Sequence, residues 1–350
     1  MSWKAIDALD DARDATGSLL LPFDAGRWAR LALIALFVGG IGSGGGTAGN
    51  AGNTGFTFPA DGGVPPTDIP IDTFPGFVTP GRILALIIAL AAIAILLGII
   101  WSIIGSVMQF VFVDAVISKD VRIRTPFRER LGLGLRLFVF QVGLVVAVML
   151  LLGLPLAAVV LGGINLDGSV FLLAIPLVFI AILVFLVLAI ALQLTTDFVV
   201  PTMIAEDRRV IDSWRRVAPV FRAEFSEFGL YVLIRFVLGI LAGIAIGVAT
   251  ALVLLVVAIP FAIVGGGILL VLTGAQVSAF STAGLVLFGG LGLLFVFTAI
   301  AVGALVQMPV VTFFRYYSLF LLGSTDESLD LVSGFRTEDD TPAPEGPTPA

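Results

Sequence analysis

Residues 231–264 read YVLIRFVLGILAGIAIGVATALVLLVVAIPFAIV and carry one charged side chain, Arg235. A helix that crosses the hydrocarbon core of a bilayer needs about 20 mainly apolar residues. Because lipid offers the backbone no hydrogen bonds, a segment of this kind satisfies its own polar groups as a helix. The stretch therefore predicts an all-α membrane protein.

Four further stretches have the same character, so we predict a polytopic membrane helix bundle over residues 27–323. The clear spans are 83–117, 135–163, 170–200, 231–264 and 283–322. A sixth span is predicted at 28–46, where an apolar run passes into glycine-rich sequence. Prolines inside the stretches are the expected break points, because each removes one backbone donor; they are Pro155, Pro176, Pro260 and Pro309.

The distribution of cations predicts the orientation of the bundle. Cytoplasmic loops of membrane proteins carry an excess of lysine and arginine. With six spans, all but one of the 19 lysine and arginine residues fall on one side, and the exception is Arg82. This balance requires the span at 28–46, since without it the N-terminal cations would lie on the opposite side. We expect a multi-pass protein of the cell membrane with both termini in the cytoplasm.

Three segments outside the clear spans have compositions of their own. Residues 1–26 place Trp3, Ile6, Leu9 and residues 12–15 at helical spacing opposite several aspartates, which predicts an amphipathic helix that lies on the membrane or packs on the protein. Residues 42–80 are rich in glycine, proline and threonine and are expected to form a disordered external loop. Residues 324–350 carry seven acids and are expected to form a disordered cytoplasmic tail.

The glutamines suggest that the six spans form three repeated hairpins. Gln109, Gln193 and Gln307 each lie near the predicted cytoplasmic end of an even-numbered span, followed by apolar residues and a polar arm. Internal repeats occur in transporters and also in scaffolds, so the repeat does not select a function. Glycines at 239, 243 and 247 share one face of the fifth span and predict close helix packing there.

Two predicted cytoplasmic arms, residues 118–134 and 201–228, carry many of the arginines. In the second arm an apolar stripe at helical spacing has arginines at its edge, which is typical of a helix in the lipid headgroup layer. The candidate headgroup contacts are Arg122, Arg124, Arg128, Arg215, Arg216 and Trp214. Orientation alone would also account for these arginines, so two interpretations stay open.

One succession of elements resembles a known kind of protein. A span end, a short basic arm, the element Ser213-Trp214-Arg215-Arg216 and a return into an apolar span resemble the uncharacterised six-span haloarchaeal membrane-protein families. They resemble more distantly the membrane domain of some glycerophosphodiester phosphodiesterases. The similarity covers residues 200–236 and, more loosely, 1–325. It implies a helical membrane bundle and no reaction, because these families offer no catalytic residues and the chain has no phosphodiesterase domain.

The composition excludes several functional classes. Only 13% of residues are charged, against about 25% in soluble domains, which excludes a soluble protein and a nucleic-acid binder. The chain has no cysteine and no histidine, and so lacks the most familiar nucleophiles, bases and metal ligands. We expect no cofactor and no catalytic residue. The net charge of −6 with two lysines is typical of halophilic archaea, and an ordinary acidic membrane protein is the alternative.

Two carboxylates near span ends are the candidates for intramembrane chemistry. Asp114 and Asp197 follow Gln109 and Gln193 by five and four residues. Ionisable groups inside a membrane often carry function, but a helix-end acid paired with Arg136, Arg235 or Arg315 is the competing interpretation. The sequence thus predicts a non-enzymatic membrane-organising or accessory protein that contacts lipids and other membrane proteins. The alternative is a small transporter or channel that uses Asp114 and Asp197, with the glutamines as polar lining.

Overall fold

The computed structural model describes residues 3–39, 80–161, 168–279 and 281–335, and these residues are helical, without a strand. A π-helical segment, Thr195–Val199, joins α5 to α6, and short 3₁₀ turns follow the last helix at Glu327–Leu329 and Ser333–Phe335. The helices are α1 (Lys4–Leu20), α2 (Ala25–Val38), α3 (Pro80–Ser118), α4 (Arg124–Leu161), α5 (Gly168–Leu194), α6 (Val200–Glu206), α7 (Val210–Ala223), α8 (Phe225–Gly274) and α9 (Thr282–Thr325).

Five helical segments in the described part of the chain are long and apolar enough to cross a membrane. They are Ile88–Ser118, Arg124–Pro155, Pro176–Glu206, Phe225–Gly274 and Thr282–Thr325, and they correspond to the five clear predicted spans. The predicted span at 28–46 is not confirmed: α2 has 14 residues, or about 21 Å of helix, against a hydrocarbon core of about 30 Å. Residues 40–46, like nearly all of the predicted loop at 42–80, lie outside the described residues.

The long helices extend past several predicted boundaries. The prediction that prolines break the helices is wrong, since Pro155, Pro176, Pro260 and Pro309 all lie inside helices. The neighbours of a membrane helix can satisfy the one carbonyl that a proline leaves free. The predicted arm at 118–134 is not a separate element either, because α4 begins at Arg124.

Helix α2 connects two pairs of packed helices. The most extensive contact is between α3 and α4, and α8 packs on α9. Helix α2 lies against both α3 and α9, while α5 packs on α4. The pairs α2–α3, α4–α5 and α8–α9 of the predicted repeat do touch. The largest contact, however, is between α3 and α4, which belong to different pairs of that repeat. The arrangement does not confirm a threefold repeat.

The hydrophobic core lies at one end of the bundle. We call this the basic end; it consists of α1, α7, the last turns of α3 and α9, and the first turns of α4 and α8. Phe112, Met308 and Phe320 are fully or almost fully buried there. Farther along the helices the apolar side chains face outward, as with Leu270 at 75% and Phe179 at 74% exposure. Lipid replaces water around such surfaces in a membrane protein.

Helix α1 packs on the basic end through an alanine face. Ala5, Ala8 and Ala12 are buried, and α9 is the main neighbour of the helix. Of the predicted apolar stripe, Ala12 and Ala15 belong to this packed face, whereas Trp3 and Ile6 are about half exposed. Alanine lets two helix backbones approach closely, which the larger side chains do not allow.

The tail folds back further than its composition predicts. Leu329 and Val332, within the predicted disordered segment 324–350, are buried in the core of the basic end. Two apolar side chains therefore anchor an acidic segment. Residues 336–350 lie outside the described part of the chain.

Candidate functional site

A buried carboxylate lies where the π-helical segment meets α8. The side chain of Asp197 is 3% exposed. Its Oδ2 atom accepts hydrogen bonds from the Tyr231 hydroxyl at 2.9 Å and from Gln193 Nε2 at 3.1 Å. Arg235 Nε lies 3.1 Å from the same oxygen. One carboxylate oxygen thus holds together donors from α5 and α8.

Aromatic rings fix the position of this carboxylate. The ring of Phe198, the next residue after Asp197, lies 5.0 to 5.5 Å from the rings of Phe221, Phe228 and Tyr231 in edge-to-face geometry. Tyr231 also lies 4.9 Å from the ring of Tyr317. Edge-to-face pairs at these separations are favourable. The cluster therefore locks the π-helical segment against α7, α8 and α9.

A second buried arginine reaches the same segment from α9. Arg315 is 4% exposed. Its Nη1 donates to the carbonyl oxygen of Thr196 at 2.7 Å, and its Nη2 donates to Gln109 Oε1. The guanidinium carbon lies 5.5 Å from the ring centre of Phe112. Arg315 thereby connects α3, the π-helical segment and α9.

The charges at this site do not balance. Arg235 and Arg315 supply two positive charges, and Asp197 supplies one negative charge. Removing a charge from water is costly unless an opposite charge and hydrogen bonds replace the water. A surplus of one positive charge among side chains this deeply buried calls for an anion.

A cavity of about 60 Å³ opens beside these residues, between α2, the π-helical segment, α8 and α9. Its polar wall consists of Thr196, Asp197, Arg235, Gln307 and Arg315. The rest of its lining is apolar and includes Gly239, Ala242, Gly243 and Phe314. The cavity therefore combines a few polar groups with a largely apolar lining.

The glycines of α8 line this cavity rather than a helix contact. The sequence predicts close packing there, but a Cβ atom added to Gly239 or Gly243 would meet nothing within 4 Å. The prediction of packing is wrong at these two positions because the facing helix stands away from them. Gln307 Nε2, on α9, is buried and has no hydrogen-bond partner among the described residues.

The other predicted carboxylate lies elsewhere. Asp114 pairs with Arg130 on α4, with Arg130 Nε at 3.1 Å from its Oδ2, and both side chains are about one quarter exposed. This partner is not one of the three arginines that the sequence suggests. Asp114 is not among the residues that line the cavity. The structure thus places Asp114 and Asp197 in two separate ion pairs.

The three predicted glutamines have different surroundings. Gln193 donates to Asp197, while Gln109 accepts from Arg315. Gln307 lines the cavity. They surround one polar region but do not repeat one interaction.

Most of the predicted headgroup arginines are exposed at the basic end. Arg122, Arg124, Arg128 and Arg215 are exposed, and Arg122 pairs with Asp120 at 2.7 Å. Long exposed cations of this kind can reach lipid phosphates.

The other two predicted headgroup contacts, Trp214 and Arg216, face protein. Trp214 Nε1 donates to the Thr195 hydroxyl at 3.1 Å, and its ring lies 6.1 Å from that of Phe221. Helix α7 packs on the π-helical segment and α6, so Trp214 contacts protein, while Ile211 at the start of the predicted stripe is 57% exposed. The placement of this stripe in the headgroup layer stays a prediction. A stripe at helical spacing shows that a face is covered but not what covers it.

Arg216 holds the tail to the bundle. Its Nη2 donates to Asp326 Oδ2 at 2.7 Å and to the Ser328 hydroxyl at 2.9 Å, while its Nε donates to Glu206 at 3.3 Å. The hydrogen bond to Asp326 raises the pKa of Arg216 above its ordinary value. Hydrogen bonds from Ser328 and Arg216 lower the pKa of Asp326. This contact therefore keeps its charges throughout the neutral range.

The sequence does not identify every member of the site. Tyr231 and Thr196 are absent from the predicted candidates, and no local pattern marks either of them. Arg235 and Arg315 carried a signal, since each is an isolated charge in or beside an apolar span. No group of three or more metal-ligating side chains occurs in the described parts of the chain.

Helical segments of this length and apolarity, with charged side chains gathered at one end, define a multi-pass α-helical membrane protein. More particularly, residues 3–332 match the family model described as "Family of unknown function (DUF7544)", and the chain belongs to this family. No curated protein and no solved structure matches the chain. The predicted haloarchaeal origin and the likeness to phosphodiesterase membrane domains stay predictions.

Proposed function

We propose that the protein is a non-enzymatic component of the cell membrane that organises or accompanies other membrane components. In this proposal the basic end faces the cytoplasm and both termini lie there. One observation carries it: Asp114 and Asp197 each form an ion pair of their own, with Arg130 and Arg235. In a coupled transporter, a carboxylate in the substrate cavity has to be available to the transported ion. Here each of the two carboxylates is bound to an arginine instead.

The exposed arginines support the same proposal. Arg124 and Arg128 on α4, and Arg215 on α7, are exposed at the basic end. Each basic side chain near an anionic surface contributes about 1 kcal/mol of attraction. We propose that they hold the basic end against lipid headgroups, while the apolar faces of the long helices contact lipid or neighbouring membrane proteins.

A flux measurement tests the non-transporting role. The full chain is reconstituted in vesicles, and proton and potassium fluxes are followed under an imposed gradient. We expect no flux above that of empty vesicles. Flux that depends on the protein and is lost in Asp197→Asn, but not in a control variant at the exposed Asp7, Asp7→Asn, would contradict the proposal and favour transport.

Transport is the second candidate, because Asp197 does line a cavity. The same experiment separates the candidates, since only a transporter produces flux that the substitution removes.

The orientation is tested by single-cysteine labelling followed by purification of the protein, in which the chain itself gives no background because it has no cysteine. Asp7→Cys and Ser333→Cys mark the basic end, and Val277→Cys marks the turn between α8 and α9. An impermeant thiol reagent should label only Val277→Cys in intact cells. Labelling of either basic-end variant before permeabilisation would contradict the proposed orientation.

A further inference from the structure

We propose that the cavity between α2, the π-helical segment, α8 and α9 binds a phosphoryl-type anion. This inference is independent of the proposed function, because it concerns a buried site and not the exposed arginines of the basic end. Three features of the cavity carry it: its charge, its unmatched donors and its shape.

The charge of the cavity wall favours a single negative charge. Arg235 and Arg315 face one carboxylate, that of Asp197. Coulomb interactions are several times stronger at the low effective dielectric of a protein interior than in water. A bound monoanion brings the local charge to zero, whereas a cation would increase the surplus.

The unmatched polar groups at the cavity are donors. Gln307 Nε2 is buried without a partner among the described residues. Arg235 Nε faces Asp197 Oδ2 at 3.1 Å and is buried without a well-formed hydrogen bond among the described residues. Buried donors without acceptors are costly, and an oxyanion supplies several acceptors at once.

The shape of the cavity suits an anion that has an apolar extension. The volume of about 60 Å³ is several times the roughly 10–15 Å³ that one water needs. Beyond the arginines the wall continues over Gly239, Ala242 and Gly243, where a Cβ at either glycine would meet open space. A phosphate diester with an acyl chain, as in an anionic lipid, has one charge and this polarity. Free inorganic phosphate offers the same oxygens without the chain.

The test fills the cavity without touching its charges. Gly243→Leu adds a side chain to the apolar lining of the cavity. Gly266→Leu is the matched control on the same helix. A Cβ at Gly266 also meets nothing within 4 Å, but Gly266 is not among the cavity residues. A second variant, Gln307→Leu, removes the unpaired donor. Purified full-length protein in neutral micelles is titrated with short-chain phosphatidylglycerol, short-chain phosphatidylcholine and inorganic phosphate, and binding is measured by calorimetry and by the unfolding temperature.

We expect phosphatidylglycerol to bind the wild type and raise its unfolding temperature, and phosphatidylcholine to bind at least tenfold more weakly. Gly243→Leu should raise the Kd for phosphatidylglycerol at least tenfold, Gln307→Leu should raise it several-fold, and Gly266→Leu should leave it within twofold. Unfolding without ligand shows whether each variant is folded.

The two anions distinguish the source of the phosphoryl group. Phosphatidylglycerol that binds more tightly than inorganic phosphate identifies a lipid headgroup, and the reverse order identifies a soluble anion. Equal Kd values for phosphatidylglycerol in the Gly243→Leu and Gly266→Leu proteins, or equal binding of phosphatidylglycerol and phosphatidylcholine, would overturn the proposal.

Discussion

Replacing Asp197 by asparagine should destabilise the protein far more than replacing its arginine partner. Asp197→Asn leaves Arg235 and Arg315 buried with no negative charge between them, whereas Arg235→Gln leaves one arginine and one carboxylate. Removing one partner of a buried ion pair typically costs about 3–5 kcal/mol, because the other charge stays buried and unpaired. We expect a loss in this range for Asp197→Asn. Arg235→Gln should cost less.

The double variant Asp197→Asn/Arg235→Gln measures the coupling. Replacing both members of a buried pair is often far less costly than removing one of them. The double variant should therefore recover about 2 kcal/mol relative to Asp197→Asn alone. A thermodynamic cycle over the wild type, the two single variants and the double variant isolates the pairwise free energy.

The assay is equilibrium denaturation by sodium dodecyl sulfate in mixed micelles, followed by tryptophan fluorescence. Trp214, one of four tryptophans in the chain, donates to Thr195 in the π-helical segment, so part of the emission reports on the neighbourhood of Asp197. A cost below about 1 kcal/mol for Asp197→Asn, with no recovery in the double variant, would refute the conclusion that these charges are coupled.

Two further predictions concern helix packing and the tail. Gly134→Ala places a Cβ 2.7 Å from the Val107 Cα of α3 and should lower the free energy of unfolding by about 1–3 kcal/mol through overpacking. Gly132→Ala, with open space around it, should stabilise the helix by up to about 1 kcal/mol. Equal effects of the two variants in the same denaturation assay would contradict the close approach of α3 and α4. Arg216→Ala should free the tail and make it more sensitive to protease than Arg215→Ala does, while changing the free energy of unfolding by at most about 1 kcal/mol. Because the pKa of Asp326, which Arg216 binds, is lowered, the contact is fully present above the ordinary aspartate pKa of about 4 and is lost as the pH falls through the lowered pKa. If the wild-type tail at pH 5 were as sensitive to protease as the tail of Arg216→Ala, this assignment would be contradicted.

The long spans could be predicted because they depend on a local property. A stretch such as 231–264 has to be a helix whatever surrounds it, since lipid offers its backbone no partners. The ends of the helices were harder to place. Helix α8 continues through the three glycines at 265–267 and through the polar residues at 226 and 227, where the sequence resembles a loop. The effect of the prolines could not be predicted for a related reason. Whether a proline breaks a helix depends on whether neighbouring helices donate hydrogen bonds to the carbonyl that the proline leaves free.

The members of the candidate site could be predicted only in part. The sequence suggests Asp197 and offers Arg235 as one of several partners, and the structure contains that pair. Which arginine meets which carboxylate depends on how the helices rotate about their axes, which hydropathy does not determine. Asp114 illustrates this, since its partner Arg130 lies on the first turns of α4, in a segment that the sequence assigns to a separate arm. What covers the stripe of α7 could not be predicted from the sequence, because protein and lipid cover an apolar stripe equally well.

The π-helical segment also has a consequence for how this chain tolerates changes in length. A π-helical turn holds about one residue more than an α-helical turn, so deleting one residue between 195 and 199 would restore regular α-helical winding and leave α6 nearly in phase with α5. The change would fall on the segment itself, where the Asp197 carboxylate and the Thr196 carbonyl meet the arginines of α8 and α9. The π-helical segment thus confines a change in length to the buried polar site, and a single-codon deletion there should be far more damaging than one near the turn at 275–279.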